Sequence, residues 1–101
     1  MKQIKVTQTN NLWQKIKGLL GENTPHALLL KTHWGIHTFG MQFPIDVVIV
    51  DTQNNIVTLK PNLKPNRIFL WNPKYETVLE LPSGYIQEKT LKLGEKIHII
   101  V

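Results

Sequence analysis

The fold is decided by residues 45–59, IDVVIVDTQNNIVTL, which have the pattern of two strands joined by a tight turn. Residues 45–50 are apolar at nearly every position, as in a central strand that is covered on both faces. Asn54 and Asn55 follow, and asparagine tolerates the positive φ angles that hairpin turns require. Residues 56–59 then resume the strand pattern. We therefore predict a β-hairpin whose first strand runs through the middle of a sheet.

Further short elements are expected on both sides of this hairpin. Apolar runs predict additional strands at residues 4–6, 27–31, 67–71, 78–81 and 97–101. Residues 12–20 repeat apolar side chains at one-turn spacing and predict an amphipathic helix. Residues 85–89 predict a second helix, with Ser83 as its N-terminal cap. The fold class is therefore mainly β (α+β), either a small, partly closed barrel or a strongly bent, antiparallel-rich sheet of about 6–8 short strands with two short helices.

Length and composition limit the class of protein. The chain has 101 residues, which fits a single domain, residues 1–101, with a core large enough to fold without disulfides. Cysteine is absent, which excludes thiolate catalysis and cysteine-ligated metal sites. No apolar run approaches the ~20 residues that cross a bilayer, and the start lacks the apolar block of a secretory signal. We expect a cytoplasmic protein that does not bind membranes.

The net charge of +5 raises the question of nucleic acid as a partner. Nearly all of the basic residues are lysines spread along the chain, and Arg67 is the sole arginine. Few bidentate contacts to phosphate or guanine are therefore available. A dispersed basic surface that keeps a small domain soluble explains the charge better. Weak nucleic-acid binding through Lys60, Lys64, Arg67 and Lys74 on a single face stays the second alternative function.

Candidate site residues cluster around the start of the central strand. His37, Thr38 and Met41 precede Asp46, and Glu80 lies between two leucines of another predicted strand. A carboxylate at the end of a buried strand needs hydrogen-bond donors, so Asp46 either accepts backbone hydrogen bonds structurally or belongs to a binding site. Glu80 has the same two interpretations. We predict that a ligand binds near His37, Thr38, Met41, Asp46 and Glu80.

The preferred function is a non-enzymatic binding module for a small polar ligand or a protein partner near His37 and Asp46. The alternative is a hydrolase, with or without a metal ion, in which His37 acts as base or ligand, Asp46 orients it and Glu80 assists. Trp34 and Phe39 lie beside glycines and are the aromatic side chains expected at the surface, where they could stack on a sugar ring or a base. The sequence leaves the ligand and the oligomeric state open.

The two histidines of this region are candidates for a metal site. His33 and His37 have the i, i+4 spacing that forms a metal pair on a helix. The neighbouring β pattern favours extended backbone, in which they would lie about 13 Å apart along the strand. That distance is too long for a single metal ion. We therefore predict no metal and no cofactor.

Four motifs together resemble the domain of unknown function 192 family. They are, in chain order, KGLLG at residues 17–21, IHTFGMQFPIDVVIVD at 36–51, VLELPSG at 78–84 and LGEKI at 93–97. The chain departs from the family pattern at residues 36–41, where IHTFGM stands in place of Phe-Trp-Met-Lys-Asn-Thr, and at Glu95, which replaces an aspartate. No role of the family's lysine or asparagine therefore carries over. The resemblance implies a compact, β-rich, barrel-like domain without an established activity.

Overall fold

A computed structural model of the chain describes residues 1–8 and 27–101. These residues contain nine strands and one helix: β1 (Lys2–Lys5), β2 (Thr7–Gln8), β3 (Leu28–Lys31), β4 (Gly35–His37), β5 (Ile45–Val50), β6 (Ile56–Leu63), β7 (Ile68–Leu70), β8 (Thr77–Pro82), α1 (Tyr85–Lys89) and β9 (Ile97–Ile100). The helix predicted at residues 12–20 lies outside the described residues, so α1 is the only predicted helix that is observed among them. No helix in this part of the chain has the length and apolar character needed to cross a membrane.

The largest sheet has five strands in the order β2-β3-β8-β5-β6. β5 pairs antiparallel with β6 on one side and with β8 on the other, which confirms the predicted hairpin and the interior position of its first strand. Asn54 adopts a φ of 65° in the connecting turn. Asp51 stabilises the same turn, because its Oδ1 accepts hydrogen bonds from the backbone N–H groups of Gln53 and Asn55. The hydrogen bond from Asn55 also lowers the pKa of Asp51.

Both faces of the five-stranded sheet are covered, which explains why every residue of β5 is buried. Val48 and Val50 face a core shared with β1, β9 and α1. Val47 and Ile49 face the opposite core, which β4 and β7 help to enclose. Burying one such side chain contributes about 1.5–3 kcal/mol, so the two cores account for most of the drive to fold. The described part of the chain therefore forms three layers, with the large sheet in the middle.

The sheets are not closed into a barrel, which corrects one of the two predicted architectures. β1 pairs parallel with β9, and β4 pairs antiparallel with β7, each as a separate two-stranded sheet. Pro44 lies between β4 and β5, and Pro65 lies between β6 and β7. Proline has no N–H with which to continue a ladder, so these residues mark where the chain enters the large sheet after β4 and where it leaves that sheet after β6. The antiparallel pair β4 and β7 is called the ribbon below.

Candidate functional site

Asp46 lies in β5 with a side chain that is only 1% exposed. Its Oδ1 accepts a hydrogen bond from the backbone N–H of Asn62 at 2.9 Å, and its Oδ2 accepts one from the backbone N–H of Ile86 at 2.8 Å. Asn62 has a φ of 53° and lies where the β5–β6 pairing shifts register. Ile86 is in the first turn of α1. The carboxylate therefore joins β5 to an irregular point of β6 and to the start of the helix.

The start of α1 differs from the prediction. The cap residue is Gly84, and Ser83 does not cap the helix: its Oγ lies 3.4 Å from Oδ1 of Asn62. Asp46 satisfies the N–H of Ile86, a role that a cap side chain takes in most helices. The two residues are 40 positions apart, so no local pattern in the sequence could have indicated this contact.

Glu80 is the second buried carboxylic acid of the large sheet. Desolvation by burial raises its pKa to about 7, and no hydrogen bond or ion pair joins it to another described residue. Glu80 lies opposite Val47, whereas Asp46 lies opposite Leu81. Because successive side chains of a strand point to opposite faces, Asp46 and Glu80 lie on different faces of the sheet. The fold therefore does not bring together the two carboxylates that the hydrolase alternative needs.

Thr38 and Met41 are buried, and the contacts of Thr38 are structural. The Oγ1 of Thr38 donates to the carbonyl oxygen of Lys64 at 2.7 Å and accepts a hydrogen bond from the backbone N–H of Arg67 at 2.9 Å. These bonds hold the loop between β6 and β7 against the end of β4. Met41 belongs to the core between the large sheet and the ribbon. Of the predicted site residues, Thr38 and Met41 thus lie inside the protein.

The accessible part of this region is an open cleft along the ribbon with a volume of 280 Å³. Four large apolar side chains at the cleft are exposed: Trp34 by 67%, Phe39 by 42%, Ile68 by 63% and Leu70 by 68%. His37 also lines the cleft and stacks on Phe39 with ring centroids 5.0 Å apart. The sequence correctly placed Trp34 and Phe39 at the surface. It missed Ile68 and Leu70, although their alternation with the half-buried Phe69 is a period-two signal.

His33 lines the same cleft, but both of its ring nitrogens already contact other groups. Its Nδ1 lies 2.8 Å from the carbonyl oxygen of Pro73, and its Nε2 lies 3.1 Å from a carboxylate oxygen of Glu76. Among residues 1–8 and 27–101, no group of three or more histidine, aspartate or glutamate side chains is arranged to hold a metal ion.

Trp34 is held in a strained turn at the start of the ribbon. Its φ is 77°, and the N–H of Gly35 donates to the carbonyl oxygen of His33 at 2.9 Å. A hydrogen bond across one residue at this φ defines the rare, strained form of the γ-turn. A bulky residue in such a conformation costs about 1–3 kcal/mol, and strain of this kind concentrates at functional sites. The strained backbone holds the indole of Trp34 in solvent, where the residue is 67% exposed. The fold therefore gains little burial of apolar surface from this conformation.

Gly35 permits the close approach of the two ribbon strands. A Cβ atom at this position would lie 2.5 Å from Cδ2 of Leu70 and 2.6 Å from the carbonyl oxygen of Phe69. Leu70 could rotate, but the carbonyl belongs to the β7 backbone and cannot move without opening the ribbon. We expect Gly35→Ala to lower the free energy of unfolding by about 1–3 kcal/mol in urea denaturation. An unchanged value would mean that the two strands lie farther apart than described.

Comparisons with known proteins agree with this fold. A protein from Sinorhizobium meliloti 1021, named as a "putative transcription regulator", matches with a TM-score of 0.75 and 19% identity over 90% of this chain and 78% of its own. A protein of unknown function from Novosphingobium aromaticivorans DSM 12444 matches with a TM-score of 0.72 and 15% identity over 90% of this chain and 71% of its own. At these identities the likeness concerns the fold alone.

A comparison with curated proteins finds no match. The model of the domain of unknown function 192 family, described as Uncharacterized ACR, matches residues 1–99. This match covers nearly the whole chain, including the hairpin of β5 and β6 and the ribbon. The chain therefore belongs to the domain of unknown function 192 family.

Proposed function

We propose that this protein is a non-enzymatic binding module that docks a protein partner on the ribbon. The observation that carries the proposal is the group of four exposed apolar side chains around the cleft, Trp34, Phe39, Ile68 and Leu70. Exposed apolar patches on small domains commonly mark interaction sites. Tryptophan is also enriched among the residues that dominate binding energy at protein interfaces.

The chemistry of the cleft favours a protein partner over a small polar ligand. Most of its lining is apolar, and the two histidines, His33 and His37, are its titratable residues. Asp46 and Thr38, which the sequence suggested as polar contacts, are buried and already hydrogen-bonded to the backbone. Sites for small ligands are enclosed and carry a few convergent polar groups. An open apolar cleft instead suits a side chain or a strand of another protein.

Peptide selection tests this proposal. We expect panning of a random phage-displayed peptide library on the wild-type protein to enrich peptides that bind through the ribbon. Their binding should be lost in a Trp34→Asn, Phe39→Ser double variant whose melting temperature is close to that of the wild type. The matched control is Leu93→Asn, because Leu93 is also 66% exposed but does not line the cleft. Failure to enrich any peptide, or equal binding by the double variant, would contradict the proposal.

Trp34→Asn alone separates binding from stability. Asparagine tolerates positive φ better than a bulky aromatic residue, so we expect the free energy of unfolding to be unchanged or higher by about 1 kcal/mol. Urea denaturation of the wild type and the variant measures this difference. A clear loss of stability would show that the indole serves the fold, and would weaken the case for Trp34 as a binding residue.

A further inference from the structure

We infer that the outer edge of β7 captures an extended, acidic segment of the partner by adding it as a third strand of the ribbon. This inference rests on the proposed function and specifies how the partner binds. It depends on three observations: the direction of the free backbone groups of β7, the exposed side chains beside them and the charge around the ribbon.

The hydrogen-bond pattern leaves the outer edge of β7 open. The N–H of Trp71 donates to the carbonyl oxygen of Trp34, and the N–H of Thr38 donates to the carbonyl oxygen of Arg67. In an antiparallel ladder, hydrogen-bonded pairs alternate with non-bonded ones. The pairs Gly35 with Leu70 and His37 with Ile68 are therefore the non-bonded ones. The N–H and C=O groups of Ile68 and Leu70 point away from β4, and no other described strand pairs with β7.

β7 is a short edge strand, but it contains no charged residue or proline, and no described strand covers its outer edge. Proteins normally protect an exposed edge with charged residues, proline or a covering segment. β7 has the sequence Ile-Phe-Leu, and the side chains of Ile68 and Leu70 are both exposed beside the cleft. An added strand would receive main-chain hydrogen bonds from the edge, and its alternate side chains would pack beside Ile68 and Leu70. Backbone pairing and apolar contacts thus coincide along the same three residues.

The charge around the ribbon indicates the chemistry of the added segment. Residues 52–75 contain no aspartate or glutamate, and their basic residues are Lys60, Lys64, Arg67 and Lys74. All four of these basic residues are exposed, and Lys64 and Arg67 precede β7 in the chain, whereas Lys74 follows it. Lys74 shares a pocket with Asp51 and Glu76, so the excess of positive charge lies at the start of β7. Carboxylates at the end of an incoming strand that lies beside Lys64 and Arg67 would be attracted to this surface, which raises the rate of association and selects the partner. The complementary segment has an apolar centre and an acidic flank.

A second copy of this chain fits the edge less well. The symmetric antiparallel pairing that uses all four free groups joins Ile68 of one copy to Leu70 of the other. Continuing that register places Lys64 opposite Lys74, and like charges directly opposite each other are unfavourable.

Single-stranded nucleic acid is the other alternative, because its phosphates would be attracted to the basic residues around the ribbon. Trp34 and Phe39 at the cleft could stack on bases, but the outward N–H and C=O groups of β7 match the backbone of a strand better than a phosphate chain.

The test uses the same selection and a single backbone change. We expect the enriched peptides to combine alternating apolar residues with flanking aspartate or glutamate. Leu70→Pro removes the outward N–H and blocks the approach of a strand, while the N–H groups that bond to β4 are kept. It should weaken binding of a labelled enriched peptide about tenfold or more in fluorescence polarisation. Leu70→Val keeps the N–H and serves as the control. Binding should also weaken with added salt.

Each alternative outcome overturns the inference. If the peptides depend on Trp34 and Phe39 but bind Leu70→Pro as tightly as Leu70→Val, the ribbon binds partners without strand addition and the proposed function stands. Enriched peptides with basic flanks would contradict the charge argument. A dimer in light scattering that Leu70→Pro dissolves would show that a second copy occupies the edge. If a single-stranded oligonucleotide binds more tightly than any peptide, the partner is a nucleic acid and the inference is wrong. If no peptide is enriched, the inference and the proposed function both fail.

Discussion

Replacing Asp46 with alanine should lower the free energy of unfolding by about 3–5 kcal/mol, a large part of the stability of a small domain. The change leaves the buried backbone N–H of Ile86 and the part-buried backbone N–H of Asn62 without an acceptor. It also removes the link that holds α1 against β5. Asp46→Asn preserves the shape but replaces one acceptor oxygen with an NH₂ group that faces a donor. We expect it to cost about 2–4 kcal/mol in urea denaturation.

Asp51 provides a matched control for this prediction. Its carboxylate also accepts two backbone hydrogen bonds, from Gln53 and Asn55, but it lies in an exposed turn. Water can replace the lost acceptor there, so Asp51→Asn should have a clearly smaller effect. Equal losses for Asp46→Asn and Asp51→Asn would show that burial does not determine the cost. A stable Asp46→Asn variant that loses peptide binding would assign Asp46 to the binding site.

Glu80→Gln should stabilise the protein at neutral and alkaline pH, and the gain should disappear in acid. The folded protein binds a proton at Glu80 up to a pKa of about 7, whereas the ordinary value is 4.5. Because the folded state holds this proton more tightly, the wild type loses stability as the pH rises from 4.5 to about 7. At 1.36 kcal/mol per pH unit, the loss reaches about 3 kcal/mol. Glutamine resembles the protonated acid in shape and does not ionise.

Unfolding of the wild type and Glu80→Gln across this pH range measures the difference, in which the contribution of the histidines cancels. Glu95→Gln is a control of opposite sign. Hydrogen bonds from Lys2 and from the backbone of Lys92 lower the pKa of Glu95. The contribution of Glu95 to the free energy of unfolding is therefore present above its ordinary pKa of 4.5 and is lost as the pH falls through the lowered pKa. A difference between wild type and Glu80→Gln that does not vary with pH would mean that Glu80 is solvated in the folded protein.

Much of the fold followed from local patterns. The apolar run of β5, the asparagines of the turn and the resumed pattern in β6 predicted the hairpin because each signal lies within a few residues. The short helix α1 was also found from its local pattern. The partly closed barrel, one of the two predicted architectures, was not confirmed, because closure depends on which edges pair across the molecule. The candidate site was less predictable, since the neighbours of Asp46 and Glu80 come from distant parts of the chain.

The sequence by itself determined that this chain is a mainly β member of its family, with β5 buried on both faces and with Trp34 and Phe39 at the surface. These properties depend on side-chain periodicity and on the intrinsic conformations of asparagine and glycine, which act over a few residues. Only the tertiary structure decided that Asp46 and Glu80 face different cores and that no described strand except β4 pairs with β7. Those outcomes depend on strand register and layer packing, because pairing partners far apart in the chain determine which groups are buried, bonded or free.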